Sequence, residues 1–100
     1  MSINIRIVTP SAIAFEGSGQ LITGPGFYGE FGVLKDHARF LTLNQAGVIT
    51  LEQATDKTQI VVGKGFAEVA ENQVTYLVDS CTLTSEIEGS VEDFVKTLNA

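Results

Sequence analysis

Few side chains in this sequence are equipped for chemistry, and their spacing does not assemble a reaction centre. His37 is the single imidazole and follows Asp36 directly. Neighbouring residues of an extended strand point to opposite faces, so the pair does not by itself orient a base. The favoured reading of His37 is a loop residue that makes surface contacts. Cys81 is the single cysteine, set between Ser80 and Thr82 with no cation close by in sequence. Nothing local would lower its pKa, and a small, partly buried filler is expected. Glu86, Glu88, Glu92 and Asp93 form an acidic run. Their order does not give the alternating oxygen ligands and sharp glycine turn of a calcium loop, so a solvated helix start fits better. Gly63-Lys64-Gly65 lacks the Walker spacing of two glycines around four residues before Lys and Ser/Thr. It reads as a glycine pair that lets the chain bend between strands. No catalytic residue, metal ligand set or cofactor site is assigned.

The composition narrows the classes further. The chain has 100 residues with 12 acidic and 6 basic side chains, a formal charge of -6. Six scattered cations form no stripe able to displace phosphate counterions, so nucleic acid is not an expected partner. A lone cysteine excludes an intrachain disulfide, and a lone histidine leaves too few ligands for the usual zinc centres. No apolar run reaches the ~18–20 residues of a membrane span. The opening residues alternate polar and apolar with no export or organelle signal. The expectation is a soluble intracellular chain, without direct membrane insertion, which leaves a peripheral membrane complex open.

The elements that would carry a contact surface are mostly strands. Ile3, Ile5 and Ile7 alternate with polar residues, the two-residue period of a half-buried strand. Extended segments are expected around Phe15, Leu21-Ile22, Phe40–Leu43, Val48–Gln53, Ile60–Val62, Phe66–Ala70 and Val74–Val78. A bulge or bend is expected at Gly17 and Gly19, a turn at Gly24-Pro25-Gly26, a polar loop at Lys35-Asp36-His37 and a hairpin turn at Glu71-Asn72-Gln73. Short strands at this spacing indicate a sandwich or a barrel. Val91, Phe94, Val95 and Leu98 then fall on one helical face, with Ser90 as N-cap. A helix this short is marginal alone in water, so its stripe must lie on the β-domain or on a partner. Residues 1–84 are expected to be the β-domain and residues 85–100 a linker and helix. Gly29 and Gly32 bracket Glu30-Phe31, and Lys35, Asp36, His37, Arg39 and Phe40 follow. A charged loop beside aromatics suits a protein contact, as it equally suits an ordinary surface loop.

Several of these residues carry a resemblance. Gly29-Glu30-Phe31-Gly32-Val33-Leu34, His37-Ala38, Leu41-Thr42 and Gly47-Val48-Ile49 resemble the signature of the epsilon subunit family of bacterial F-type ATP synthase, called delta in mitochondria. Ile7-Val8-Thr9-Pro10 with Phe15-Glu16-Gly17, Gly63–Val69 and Val74–Asp79 fit the family's other strands in order. Lys35-Asp36 stands where the family has Pro-Gly, Arg39 replaces a proline, Ala46-Gly47 replaces a Pro-Gly, and Lys64 splits a Gly-Gly pair. The resemblance implies a ten-stranded antiparallel β-sandwich followed by one short helix, the remnant of a two-helix hairpin. It implies a non-catalytic central-stalk subunit that couples ring rotation to ATP synthesis. The partners would be the gamma subunit and the c-ring, on the cytoplasmic face of the bacterial inner membrane. By position, Glu30 would meet the c-ring, and His37 and Thr42 would lie near gamma. Phe31 and Asp36 join the ring contacts, and Arg39 the gamma contacts, by proximity. An exposed apolar patch on one sheet face is therefore expected. Two other functions stay open: a C-terminal helix that reaches the alpha–beta head and restrains ATP hydrolysis, and an unrelated β-sandwich that binds a ligand.

Overall fold

The structure is a computed structural model that describes residues 2–26, 29–34 and 39–100. The loop expected at Lys35-Asp36-His37, and with it the Asp36 and His37 contacts, lies outside the described residues. Ten strands run in chain order: β1 (Ile3–Thr9), β2 (Ala12–Gly19), β3 (Leu21–Gly26), β4 (Gly29–Leu34), β5 (Phe40–Asn44), β6 (Gly47–Glu52), β7 (Lys57–Val62), β8 (Gly65–Ala70), β9 (Gln73–Val78) and β10 (Cys81–Leu83). A 3₁₀ turn over Thr84–Glu86 and the helix α1 (Val91–Asn99) follow. The strands form two five-stranded sheets with the orders β2-β1-β9-β8-β5 and β10-β7-β6-β3-β4. We call these sheet one and sheet two.

Alternation explains why the sheets stack. Ile3, Ile5 and Ile7 of β1, Val74, Tyr76 and Val78 of β9, and Ala67 and Val69 of β8 all turn inward from sheet one. Ile22, Val33, Ile49, Leu51, Ile60 and Val62 meet them from sheet two. Each large aliphatic side chain so buried stabilises the fold by about 1.5–3 kcal/mol. Phe15, Phe31, Phe40 and Cys81 pack at the margins of this core.

The pairing is antiparallel as expected, with one exception. β1 and β9 run parallel, Ile5 opposite Val74 and Ile7 opposite Tyr76. A parallel pair needs a long connection, and here most of the chain lies between the two strands.

Two turn signals resolve differently from their sequence reading. Gly24-Pro25-Gly26 is the last half of β3 rather than a turn. The ladder between β3 and β6 stops at Thr23, so Pro25 sits where a missing N–H breaks no bond to β6. The irregularity in β2 falls where Ile7 pairs Phe15 and Val8 pairs Ile13. Ala14 is therefore the extra residue, and Gly17 and Gly19 continue the strand opposite Ile5 and Ile3.

Other signals are met. Glu71 and Asn72 both take positive φ, 51° and 61°, the geometry of a tight hairpin turn between β8 and β9. At Gly63 an added Cβ would collide with the Asp79 carboxylate, and at Gly65 with the Leu77 carbonyl. That glycine pair lets the chain cross from sheet two to sheet one. Ser90 caps α1, its hydroxyl accepting from the Asp93 N–H at 3.3 Å. Val91, Phe94, Val95 and Leu98 are each half-buried. The Asn99 side chain ties the helix to the turn between β5 and β6. Its amide donates to the Ala46 carbonyl at 3.1 Å, and its oxygen accepts from the Ala46 N–H at 2.9 Å.

Candidate functional site

The outward face of sheet one carries an apolar row that spans all five strands. Cross-strand partners share a face. Ile13 lies opposite Val8, Val8 opposite Leu77, Leu77 opposite Phe66, and Phe66 opposite Leu43. Four strand spacings make this row about 19 Å wide. Leu41 extends it along β5. Leu41, Leu43 and Ile13 are 66%, 61% and 53% exposed, and Phe66 and Leu77 are also open to solvent. Phe66 stands as a ridge between two open hollows. One is lined by Leu41, Thr42, Leu43 and Phe66. The other is lined by Val8, Thr9, Pro10, Leu77 and their neighbours.

The next row of the same face is polar on four of its five strands. Glu16, Arg6, Thr75 and Glu68 follow one another from β2 to β8 before Leu41 of β5. Arg6 and Glu16 pair at 3.1 Å. The face thus has an apolar band with a charged margin, the anatomy of a protein contact.

A second feature lies at the end of the β3–β4 pair. Glu30 is exposed on β4, opposite Pro25 of β3. Gly29 before it takes a φ of +114° with open space around its Cβ position, a conformation glycine adopts without strain. Phe31, the next residue, turns inward. Its ring meets Phe40 edge-on at 5.1 Å and lies parallel to Tyr76 at 6.5 Å. Tyr76 is fully buried, and its hydroxyl donates to the Pro25 carbonyl at 2.9 Å. Burial pushes that hydroxyl well above the usual phenol range, so it remains a donor across ordinary pH. Gly24 makes room: an added Cβ there would collide with the Tyr76 hydroxyl.

The expected contact residues therefore separate. Glu30 and Thr42 line one shallow hollow of about 330 Å³ together with Phe31, Phe40 and Leu41. Thr42 is half-buried, and its hydroxyl donates to the Leu43 carbonyl at 3.0 Å. Arg39 is exposed and pairs with Glu71 of the β8–β9 turn at 3.4 Å. Phe31 is held in the core margin rather than presented outward. Cys81 opens β10 and is partly buried. Burial, then the nearby Glu86 carboxylate, push its thiol up. Among the described residues no group of three or more His, Cys, Asp and Glu converges to hold a metal. No helix among them is long and apolar enough to cross a membrane.

This band is the exposed apolar patch expected on one sheet face. Its signal is present: Phe66 and Leu77 are apolar residues on the outward phase of β8 and β9, whose inward phase is already filled by Ala67, Val69, Val74, Tyr76 and Val78.

Comparison with known proteins agrees with this architecture. Residues 2–84 match the family described as ATP synthase, Delta/Epsilon chain, beta-sandwich domain. An ATP synthase epsilon chain of a Nitratiruptor species is 38% identical over 105 residues, covering 99% of this chain and 81% of that relative. An epsilon chain of Magnetococcus marinus is 33% identical over 90 residues, covering 90% of this chain and 66% of the relative. An epsilon chain of Helicobacter pylori is 33% identical over 93 residues, covering 93% and 76%. Among solved structures, a chain of the Euglena gracilis mitochondrial ATP synthase (OSCP/F1/c-ring) superposes with a TM-score of 0.79 at 23% identity. It covers 96% of this chain and 61% of that one. A chain of the Tetrahymena thermophila central stalk and c-ring gives 0.68 at 10% identity, covering 98% and 88%. At those identities the two superpositions speak for the fold alone.

Proposed function

Since this chain belongs to the delta/epsilon β-sandwich family of ATP synthase, we propose that it is a non-catalytic central-stalk subunit that binds gamma and the c-ring. In this role it carries ring rotation to the stalk and so to ATP synthesis in the head. It works as a peripheral part of the membrane-bound complex, on the cytoplasmic face of the bacterial inner membrane. Gamma docks on the outward face of sheet one. The c-ring meets the β3–β4 end through Glu30, and Asp36 is assigned to the same contact from its place in the sequence. His37, Arg39 and Thr42 are assigned to the gamma contact from their places in the sequence.

The observation that carries this reading is the apolar row from Ile13 to Leu43. Such a band exposed on a sheet is a contact surface in search of a cover. A stable interface commonly buries ~1,200–2,000 Å² in total, so it would engage most of this face. The body behind it suits a mechanical role, because two close-packed sheets resist shear. Glu30 sets orientation and register more than affinity, as exposed charges at interfaces do.

The test is reconstitution. The purified chain is mixed with an alpha–beta–gamma assembly and run on size exclusion. The expected result is a stable complex that Phe66→Glu abolishes, with the fold unchanged by circular dichroism. A Phe66→Glu chain that still co-elutes with gamma would remove this face from the interface.

A further inference from the structure

We propose that the Tyr76 hydroxyl is a positioning group for Glu30, a strut through the core that fixes the ring-facing hairpin relative to the gamma-facing sheet. The proposal rests on the reading above and adds to it the part that joins the two contact sites.

The argument starts from where Glu30 gets its support. Its sequence neighbour is Phe31 and its cross-strand partner is Pro25. One side chain holds both. The Tyr76 ring lies parallel to the Phe31 ring at 6.5 Å, and the Tyr76 hydroxyl donates to the Pro25 carbonyl at 2.9 Å. This end of β3 needs such support, because the ladder to β6 stops at Thr23 and Pro25 has no N–H to offer. The other end of the strut is anchored in β9. Leu77, the next residue, lies in the apolar row of the outward face. Side chains alternate along a strand, so Tyr76 and Leu77 point in opposite directions from one rigid backbone. A load applied at Leu77 therefore reaches Pro25 and Phe31 through a single fully buried residue. Gly24 completes the arrangement, since any larger residue would occupy the hydroxyl's position.

The experiment uses assembled ATP synthase in membrane vesicles carrying Tyr76→Phe, which keeps the ring and removes the donor. The expected result has three parts. Assembly and gamma affinity stay as in the parent, because the outward face is untouched. Amide exchange in β4 at Glu30 and Phe31 rises about fivefold, the factor that one net hydrogen bond supports. Protons pumped per ATP hydrolysed fall. Placing 4-aminophenylalanine at position 76 restores a donor and should recover both exchange and pumping; a folded variant of that kind that stays uncoupled counts against the strut. A Tyr76→Phe enzyme with parental exchange and pumping overturns it outright. Glu30→Ala separates the two levels. If Glu30→Ala pumps normally, the ring-contact reading fails; if it uncouples while Tyr76→Phe does not, only the strut fails.

Discussion

Tyr76 shows how one residue can be central to a fold without looking so in the sequence. There it is one of the inward members of an alternating strand, equivalent to Val74 and Val78. Only the three-dimensional arrangement shows its hydroxyl against Pro25 and the space left for it by Gly24. We expect Gly24→Ala to destabilise the chain by about 1–3 kcal/mol, because the added methyl must displace a well-packed ring. Urea unfolding monitored by circular dichroism measures this, and a loss below about 0.5 kcal/mol would mean the core yields easily there. The buried phenol also sets a pH dependence. Its ordinary pKa is 10.0, and burial raises it in the folded state. Above the ordinary value the unfolded chain ionises while the folded chain does not. The contribution of this group to stability is therefore unchanged below that value and falls as pH rises past it, by up to about 1.4 kcal/mol per unit. Tyr76→Phe should remove that part of the alkaline loss in parallel denaturation curves. Glu30, by contrast, stands out in the sequence between two glycines, and the structure places it exposed near a strand end; its contact with the ring is a proposal. Asp36 and His37 stay proposals on position alone.

At the level of elements, periodicity carried most of the information. The alternation of Ile3, Ile5 and Ile7 and the i, i+3, i+4, i+7 spacing of Val91, Phe94, Val95 and Leu98 each led to the right element. Glycine and proline misled where tertiary packing gave them another use. Gly24-Pro25-Gly26 has the composition of a turn, yet Gly24 faces Tyr76 across the core and Gly26 lies against the Phe31 ring of the neighbouring strand. The extra residue of β2 is an alanine, which carries no turn signal at all. The C-terminal helix is held at its two ends by different means, and these can be separated. Ser90→Ala removes the N-cap and should cost the helix about 1 kcal/mol. Asn99→Ala removes both bonds to Ala46 without altering the cap. We expect faster amide exchange along α1 in each variant, with strand exchange unchanged. If Asn99→Ala leaves α1 protected, the tie to the β5–β6 turn does not anchor the helix.

For the molecule as a whole, the two sheets differ in what they leave exposed. Sheet one turns an apolar band to solvent, and this should govern behaviour in isolation. The free chain is expected to self-associate as its concentration rises, reversibly and through that face. Changing Leu41 and Leu43 together to Ser should suppress the association seen by analytical ultracentrifugation. It should also weaken gamma binding while shifting unfolding by no more than about 0.5 kcal/mol per site, since both are largely exposed. Association that persists in that double variant would point to another surface.

The parallel seam between β1 and β9 has a further consequence, for synthesis rather than for the finished particle. The first strand made finds one of its two neighbours only after residue 73 has been added. Until then Ile3, Ile5 and Ile7 lack the partner that closes their side of the sheet. Folding on the ribosome should therefore wait for nearly the full sandwich and then finish in one late, slow step, as topologies built on distant contacts do. Nascent chains halted before that point should remain protease-sensitive throughout, and a protected early fragment would show that the seam is not the closing event.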